Sequence, residues 1–182
     1  MMEYQKQVER WGVQEIILQG PQAGNPFTEQ WVRGTFSCAA QKVTAEGFYD
    51  GEGIYKVRFM PAFEMPYHFE IEASFLDSQE EGDFTVAPPS EGNHGPVHVA
   101  YTYHFAYEDG TPYYPVGTTC YVWELQSEKL QEETLQELAK GYFNKIRFCV
   151  FPKHYIYNFH EPISYPYEGT PCDTSEMTEK NF

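Results

Sequence analysis

The sequence is short of positive charge. Its 182 residues include 12 Lys and Arg against 27 Asp and Glu, which gives a formal net charge of −15 at pH 7. Affinity for nucleic acid comes largely from Lys and Arg contacts to phosphate, so we expect no nucleic-acid partner. An anionic membrane surface is disfavoured for the same reason. Because the acidic residues are spread along the whole chain, we interpret them as a solubility feature.

Long apolar runs and paired cysteines are also missing. No stretch approaches the ~20 apolar residues of a membrane helix, and the opening MMEYQKQVERWGVQEI has no signal-peptide core. The four cysteines (Cys38, Cys120, Cys149 and Cys172) are far apart and form no CxxC pair. We interpret them as reduced thiols. Unless a leader precedes this sequence, these features predict a cytoplasmic protein with no membrane partner.

Motifs of cofactor and metal sites are absent as well. The sequence contains no GxGxxG, Walker, GxSxG or HExxH pattern. His154, His160 and Glu161 lie close together, but His-x₅-His is not a recurrent ligand spacing. His94 and His98 follow a turn and are interpreted as surface or hydrogen-bonded residues. We therefore expect no cofactor and no metal.

Aromatic residues are abundant, at 18% of the chain, with 15 Tyr, 14 Phe and 3 Trp. Tyrosine suits half-buried surfaces, where the ring packs and the hydroxyl stays in water. Such rings could stack on sugars, but bulky residues more often fill a core. The composition predicts a folded protein and leaves sugar stacking as an alternative role for some rings.

Short alternating runs divide residues 8–88. Asp50-Gly51 predicts a hairpin turn between two strands. After it, Tyr55, Val57 and Phe59 alternate with polar residues, and YHFEIEASF repeats this period of two. Strands at roughly ten-residue spacing, with no helix between them, predict an antiparallel β-sandwich over residues 1–90.

The pattern changes after PPSEGNHGPVHVA (88–100), which predicts a boundary or a rigid join. Asp109-Gly110 predicts a second hairpin whose second arm continues into an apolar strand. An amphipathic helix follows, with Ser127 as N-cap and Gly141 as its stop. A buried strand is predicted from Ile146 to Phe151. Strand, helix and strand together predict a βαβ unit with parallel strands.

Five segments occur in an order that resembles a known family: VERWGVQEIILQGPQAGNPF, GFYDGEGIYKVRFMP, PSEGNHGPVHV, FAYEDGTPYYPVGTTCYVW and NKIRFCVFPKHY. They look like the start of bacterial glycoside-hydrolase-like proteins that carry a DUF5060 domain before a DUF4038 or apiosidase-like TIM barrel. The resemblance implies a mainly β fold. Residues 1–90 would form an immunoglobulin-like sandwich. Residues 91–182 would form a linker, the hairpin that leads into the barrel, and a truncated βαβ start of a (β/α)8 barrel.

The resemblance implies no catalytic residue in this chain. Glycosidases generally need two carboxylates, and barrels of this kind carry both on later strands. A complete barrel alone takes about 250 residues. Glu124 is the nearest substitute, and we interpret it as a loop carboxylate in water. The predicted function is the non-catalytic N-terminal fragment of a glycoside hydrolase acting on plant or other complex carbohydrate. The alternative is a stand-alone immunoglobulin-like module that binds carbohydrate or protein.

Residues at the carboxyl ends of barrel strands point toward the active-site mouth. On the resemblance, Tyr121 and Trp123 from the first strand, and Lys153, His154 and Tyr155 from the second, would bind a carbohydrate if the barrel were completed. The alternative is that Trp123 plugs the barrel mouth and Lys153 is solvated. Self-association through the open barrel edge is a further expectation, because exposed strands invite pairing.

Overall fold

The computed structural model describes residues 2–150, and β-strands are the main secondary structure in this range. The chain divides into two compact units, Met1–Pro112 and Tyr113–Phe182. Several separate sheets are present, and none of them closes into a barrel within residues 2–150. In the same range, no helix combines the length and the apolar character needed to cross a membrane.

The first unit is built from short strands joined by tight turns. In chain order its elements are β1 (Gln7–Glu9), β2 (Gln14–Gln19), helix α1 (Pro26–Glu29), β3 (Val32–Ser37), β4 (Lys42–Glu46), β5 (Phe48–Tyr49), β6 (Ile54–Phe59), β7 (Tyr67–Ala73), β8 (Glu80–Ala87), β9 (Val97–Ala100) and β10 (His104–Tyr107). Strand β11 (Pro112–Tyr113) crosses the boundary between the units.

These strands form three sheets. The largest has the order β1-β8-β7-β3-β4, in which β1 and β8 are parallel and the other neighbours are antiparallel. A second, antiparallel sheet has the order β2-β6-β5. The third has the order β11-β10-β9, with β9 and β10 antiparallel.

The first two sheets share one apolar core. The predicted alternation is confirmed, because Tyr55, Val57 and Phe59 of β6 are buried and the residues between them are not. Phe36 of β3 stacks on Phe59 of β6 with ring centroids 4.3 Å apart, which joins one sheet to the other. The core cluster comprises Val8, Ile16, Leu18, Val32, Phe36, Tyr55, Val57, Phe59, Tyr67, Phe69, Ile71, Ala73, Phe84 and Val86.

The predicted hairpin at Asp50-Gly51 forms, but its first arm is short. Only Phe48–Tyr49 pairs with β6, because β4 pairs with β3 in the other sheet. The change of sheet falls at Gly47, where an added Cβ would lie 2.5 Å from both the Lys56 carbonyl oxygen and the Val32 side chain. Glycine therefore permits the close approach that this crossing requires.

The Pro- and Gly-rich segment after β8 is tied to the start of the chain. The Glu9 carboxylate accepts hydrogen bonds from the Ser90 backbone N–H and, at 2.9 Å, from the Asn93 side chain. These bonds lower the pKa of Glu9, and the bond from the Ser90 backbone has the largest effect. An added Cβ on Gly95 would lie 2.6 Å from the Trp11 ring. The segment is thus hydrogen-bonded to and packed against the start of the first unit, which continues to Pro112.

The predicted turn at Asp109-Gly110 is confirmed. Gly110 has φ +90°, and the Tyr107 backbone N–H donates to the Thr111 carbonyl oxygen at 2.8 Å. The Asp109 carboxylate accepts the Thr111 backbone N–H at 2.8 Å and lies 2.7 Å from Nδ1 of His94. His94 is therefore a hydrogen-bonded residue, as expected.

The second unit contains a βαβ arrangement. Its described elements are β12 (Gly117–Thr119), a 3-10 helix (Trp123–Leu125), α2 (Glu128–Ala139) and β13 (Lys145–Arg147). Strands β12 and β13 are parallel, as predicted. The predicted N-cap is also confirmed, since the Ser127 side chain accepts the Leu130 backbone N–H.

Strand β13 is shorter than the predicted strand from Ile146 to Phe151. Regular pairing ends at Arg147, although the Cys149 backbone N–H still donates to the Tyr121 carbonyl oxygen at 2.9 Å. The last residue of the predicted strand lies outside the described range. Within residues 113–150, Leu125 is the one buried residue, and α2 buries none. The described part of this unit has hydrogen-bonded elements with very little core.

Unequal burial predicts unequal local stability. We expect the amides of Cys120 and Cys149, which continue the β12–β13 pairing, to exchange with solvent about 100-fold faster than those of Ile54–Phe59. Hydrogen exchange followed by NMR and corrected for intrinsic rates measures this in the full chain. Equal protection of the two sets in a monomer would contradict the expectation.

Asp109 predicts an acid-dependent contribution to stability. The Thr111 backbone N–H and then the His94 ring lower its pKa from 3.8 to about 2. Since the pKa is lower in the folded state, the ionised carboxylate stabilises the fold above pH 3.8, and this contribution is lost as the pH falls through about 2. The thermal midpoint of Asp109→Asn should lie below that of the unmodified chain at pH 6 and meet it near pH 2.

Replacement of the exposed Asp77 by Asn is the matched control for this measurement. It should show no comparable convergence with the unmodified chain between pH 4 and pH 2. A constant difference between Asp109→Asn and the unmodified chain across this range would contradict the assignment.

Candidate functional site

The candidate site lies where β12 and β13 end, because the carboxyl ends of parallel strands meet at one edge of their sheet. Two of the five predicted binding residues, Tyr121 and Trp123, follow β12 closely. The other three, Lys153, His154 and Tyr155, lie outside the described residues. The structure therefore describes two of the five predicted residues.

Trp123 lies in the 3-10 helix that follows β12, and not in the strand itself as predicted. Its indole N–H donates to the Gln131 carbonyl oxygen at 3.0 Å. Its ring meets the Phe148 ring edge-on, with centroids 5.5 Å apart. Trp123 thus connects the segment after β12 with both α2 and the end of β13. These contacts pack the Trp123 ring against neighbouring elements of the second unit.

Tyr121 is more open than Trp123. Its side chain is exposed, while its carbonyl oxygen accepts the Cys149 backbone N–H. The backbone of Tyr121 is therefore held by the parallel pairing, and its ring reaches the surface beside the strand ends.

Two amides that the sequence analysis did not single out hold this region together. The Gln131 side chain donates to the carbonyl oxygens of Glu124 (2.9 Å) and Gln126 (2.8 Å), which secures the 3-10 helix against α2. Asn144 Oδ1 accepts the Val116 backbone N–H at 2.9 Å, and its Nδ2 donates to the Tyr114 carbonyl oxygen at 2.9 Å. No sequence motif marks such residues, because their partners lie 5 to 30 positions away.

The structure corrects the interpretation of Glu124 as a loop carboxylate in water. Both of its side-chain oxygens are inaccessible to solvent, and neither has a hydrogen-bond partner among residues 2–150. The 3-10 helix that places Trp123 against α2 and Phe148 also turns Glu124 inward. A buried carboxylate without a partner is costly, because burial removes its hydration without replacement.

The chemistry of the described part of the site is limited. The oxygens of Glu124 are closed to solvent, whereas glycoside hydrolysis generally requires two carboxylates that reach the scissile bond. A cleft of about 310 Å³ lies between the C-terminal half of α2 and β13, but Tyr121, Trp123 and Glu124 do not line it. Within residues 2–150, no group of three or more His, Cys, Asp or Glu is arranged to hold a metal ion.

Comparison with known proteins connects this architecture to two findings. Residues 7–74 match the family described as domain of unknown function DUF5060. A crystal structure of a putative glycoside hydrolase from Bacteroides vulgatus ATCC 8482 is similar to this chain, with 43% sequence identity and a TM-score of 0.85. None of the curated proteins compared with the sequence matches it.

The extent of the structural match is unequal in the two proteins. It covers 90% of this chain but 32% of the Bacteroides vulgatus chain. This chain therefore spans about a third of the length of the protein it resembles.

The buried carboxylate of Glu124 leads to a stability prediction. We expect Glu124→Met to raise the free energy of unfolding by about 1–3 kcal/mol, because it removes a buried polar group without a partner among residues 2–150. Urea denaturation monitored by circular dichroism measures the change. Glu128→Met is the matched control, because Glu128 is exposed in the first turn of α2. This substitution should not raise the free energy of unfolding.

A loss of stability in Glu124→Met would contradict this expectation. It would show that the carboxylate has a favourable partner beyond residues 2–150.

Proposed function

We propose that this chain is the non-catalytic N-terminal part of a glycoside-hydrolase-like protein that acts on plant or other complex carbohydrate. The observation that carries the proposal is the likeness to the Bacteroides vulgatus structure, at 43% identity over 90% of this chain. The description of that protein as a putative glycoside hydrolase supplies the activity class. The proposal leaves the sugar and the linkage open.

In this proposal the two-layered core of the first unit is an immunoglobulin-like sandwich formed by residues 1–90. The DUF5060 match to residues 7–74 falls within it. Residues 91–182 would supply a linker, the hairpin that leads into a barrel, and the first βαβ unit of a (β/α)8 barrel of the DUF4038 or apiosidase-like kind. Parallel pairing of β12 and β13 around α2 supports the last assignment.

The proposed lack of catalysis is supported by the position of Glu124. Both oxygens of Glu124, the nearest substitute for a catalytic carboxylate, are closed to solvent. A general acid must reach the glycosidic oxygen, and a nucleophile must reach the anomeric carbon. Glu124 can do neither in this arrangement.

Carbohydrate contact is assigned to the strand ends. Tyr121 would offer an exposed ring for stacking on a sugar, as aromatic faces do at polar ligands. Lys153 and His154 would donate hydrogen bonds to hydroxyl groups, and Tyr155 would add a second ring. Trp123 would serve this site indirectly, because its ring and its N–H are engaged with Phe148 and Gln131.

A hydrolysis assay tests the proposal directly. The purified full chain should release no aryl group from nitrophenyl glycosides of the common pyranoses and pentoses above the rate of a buffer blank. Glu124→Gln and Glu161→Gln variants are the controls, and both should be equally inactive. Turnover by the unmodified chain that either substitution abolishes would contradict the proposal.

A further inference from the structure

An exposed tryptophan stands at the start of strand β3 in the first unit. Trp31 is 49% exposed, although tryptophan is highly buried on average in folded proteins. It directly precedes Val32, the buried first residue of β3, and Arg33 after it is exposed. Because side chains alternate along an extended chain, Trp31 and Arg33 share the outer face of the largest sheet. The indole ring is therefore directed to solvent and not to the core.

The backbone of Trp31 is fixed by the end of the neighbouring strand β7. Its N–H donates to Ser74 Oγ at 3.2 Å, and its carbonyl oxygen accepts the Ser74 backbone N–H at 3.0 Å. Ser74 Oγ in turn donates to Gln30 Oε1 at 2.6 Å. A ligand would meet a ring whose attachment is already ordered, which reduces the entropy lost on binding.

The segment that leads from β2 to Trp31 is anchored as well. The Tyr55 hydroxyl donates to the Pro21 carbonyl oxygen at 2.8 Å. The Phe27 ring meets the Tyr49 ring edge-on, with centroids 5.1 Å apart. Both contacts tie this segment to the hairpin of β5 and β6, so that the exposed ring follows an ordered stretch of chain.

Charged side chains border the ring on the same face of the sheet. Cζ of Arg33 lies over the Trp31 ring, 5.8 Å from its centroid, which is within the range of a cation–π interaction. Arg33 Nε also lies 2.8 Å from Glu46 Oε1 on β4, and Glu72 of β7 is the register partner of Arg33 on its other side. Arg33, Glu46 and Glu72 are all exposed. Hydrogen-bond donors and acceptors are therefore accessible beside the ring.

This combination of groups distinguishes between kinds of ligand. A pyranose ring carries C–H groups on its faces and hydroxyl groups at its rim. An indole ring can stack on such a face, while a guanidinium and a carboxylate can donate to and accept from the hydroxyls. The core of a protein interface is instead depleted in charged residues. A single ring bordered by charged side chains therefore fits a sugar better than a protein surface.

Charge narrows the class of carbohydrate further. Glu46 and Glu72 place two carboxylates on either side of one guanidinium, and the chain carries a net charge of −15. An acidic polysaccharide would be repelled by this field. The ring stands on the outer face of a sheet, where a ligand can extend to both sides of it. A neutral β-1,4-linked chain fits these conditions, because its pyranose rings present flat faces along its length.

We propose that Trp31, Arg33 and Glu46 form a surface site on the first unit that binds a neutral β-1,4-linked polysaccharide. Trp31 stacks on one pyranose ring, Arg33 donates hydrogen bonds to hydroxyl groups, and Glu46 accepts them. The site shares no residue with the strand ends of the second unit, where the proposed function assigns carbohydrate contact. It is therefore a second and separate binding site, and it does not depend on the proposed lack of catalysis.

Affinity electrophoresis of the full chain tests the proposal. The probes are native gels that contain hydroxyethyl cellulose, arabinoxylan or galactomannan, which have neutral glucan, xylan and mannan backbones. At least one of them should retard the chain, and the dependence of mobility on polysaccharide concentration gives the dissociation constant. Carboxymethyl cellulose has the same backbone as hydroxyethyl cellulose with added negative charge, and it should not retard the chain.

Substitutions locate the site. Trp31→Ala should raise the dissociation constant at least about 10-fold, because it removes the stacking face, and Trp31→Phe should raise it less because a ring remains. Arg33→Gln should raise it about 3-fold through the loss of charged hydrogen bonds. Tyr103→Ala is the matched control, since Tyr103 is an 87% exposed ring beside another sheet of the first unit. It should leave the constant unchanged.

Several results would overturn the proposal. They are no retardation by any of the three neutral polysaccharides, retardation by carboxymethyl cellulose as strong as by a neutral one, and equal effects of Trp31→Ala and Tyr103→Ala. Binding that Tyr121→Ala abolishes and Trp31→Ala leaves unchanged would also overturn it, because the contact would then lie at the strand ends. If circular dichroism shows that Trp31→Ala is unfolded, Trp31→Phe and Arg33→Gln decide in its place. Hydrolysis by this chain would overturn the proposed function and leave the binding result standing.

Discussion

Aromatic rings that meet across the two main sheets hold the first unit together. Phe36 and Phe59 stack at 4.3 Å between centroids, and Phe59 contacts Tyr67 at 5.5 Å. Burying each side chain of this size is worth about 1.5–3 kcal/mol. The contact requires β3 and β6 to face each other, and the crossing at Gly47 allows the chain to pass from one sheet to the other. The rest of the unit is arranged around this layer.

The second unit depends on hydrogen bonds where the first depends on burial. Ser127 caps α2, Gln131 secures the 3-10 helix, and Asn144 holds the segment before β12. These bonds define local geometry, but a net hydrogen bond contributes only about 0.5–1.5 kcal/mol. With Leu125 as the one buried residue within residues 113–150, the described part of this unit has the form of a βαβ unit and little of its core. Contact with additional apolar surface would increase the buried area of this unit.

At the candidate site, residue patterns predicted some features of the structure and missed others. The pattern predicted parallel strands, and β12 and β13 are parallel. It did not predict the 3-10 helix after β12, because such a short element has no periodicity to detect. That helix gives Trp123 its packing contacts and buries the oxygens of Glu124. The binding roles of Lys153, His154 and Tyr155 stay predictions.

The sequence by itself determined the elements whose signals are local. Alternating apolar and polar residues predicted β6 and β7. Asp-Gly pairs predicted the turns at Gly51 and Gly110, and Ser127 predicted the start of α2. Only the tertiary structure decided which sheet β4 joins, that the side-chain oxygens of Glu124 are closed to solvent, and that Val99 and Phe105 stay exposed. The physical reason is that burial and partner choice depend on residues far apart in the chain, whereas turns, caps and periodicity depend on neighbours.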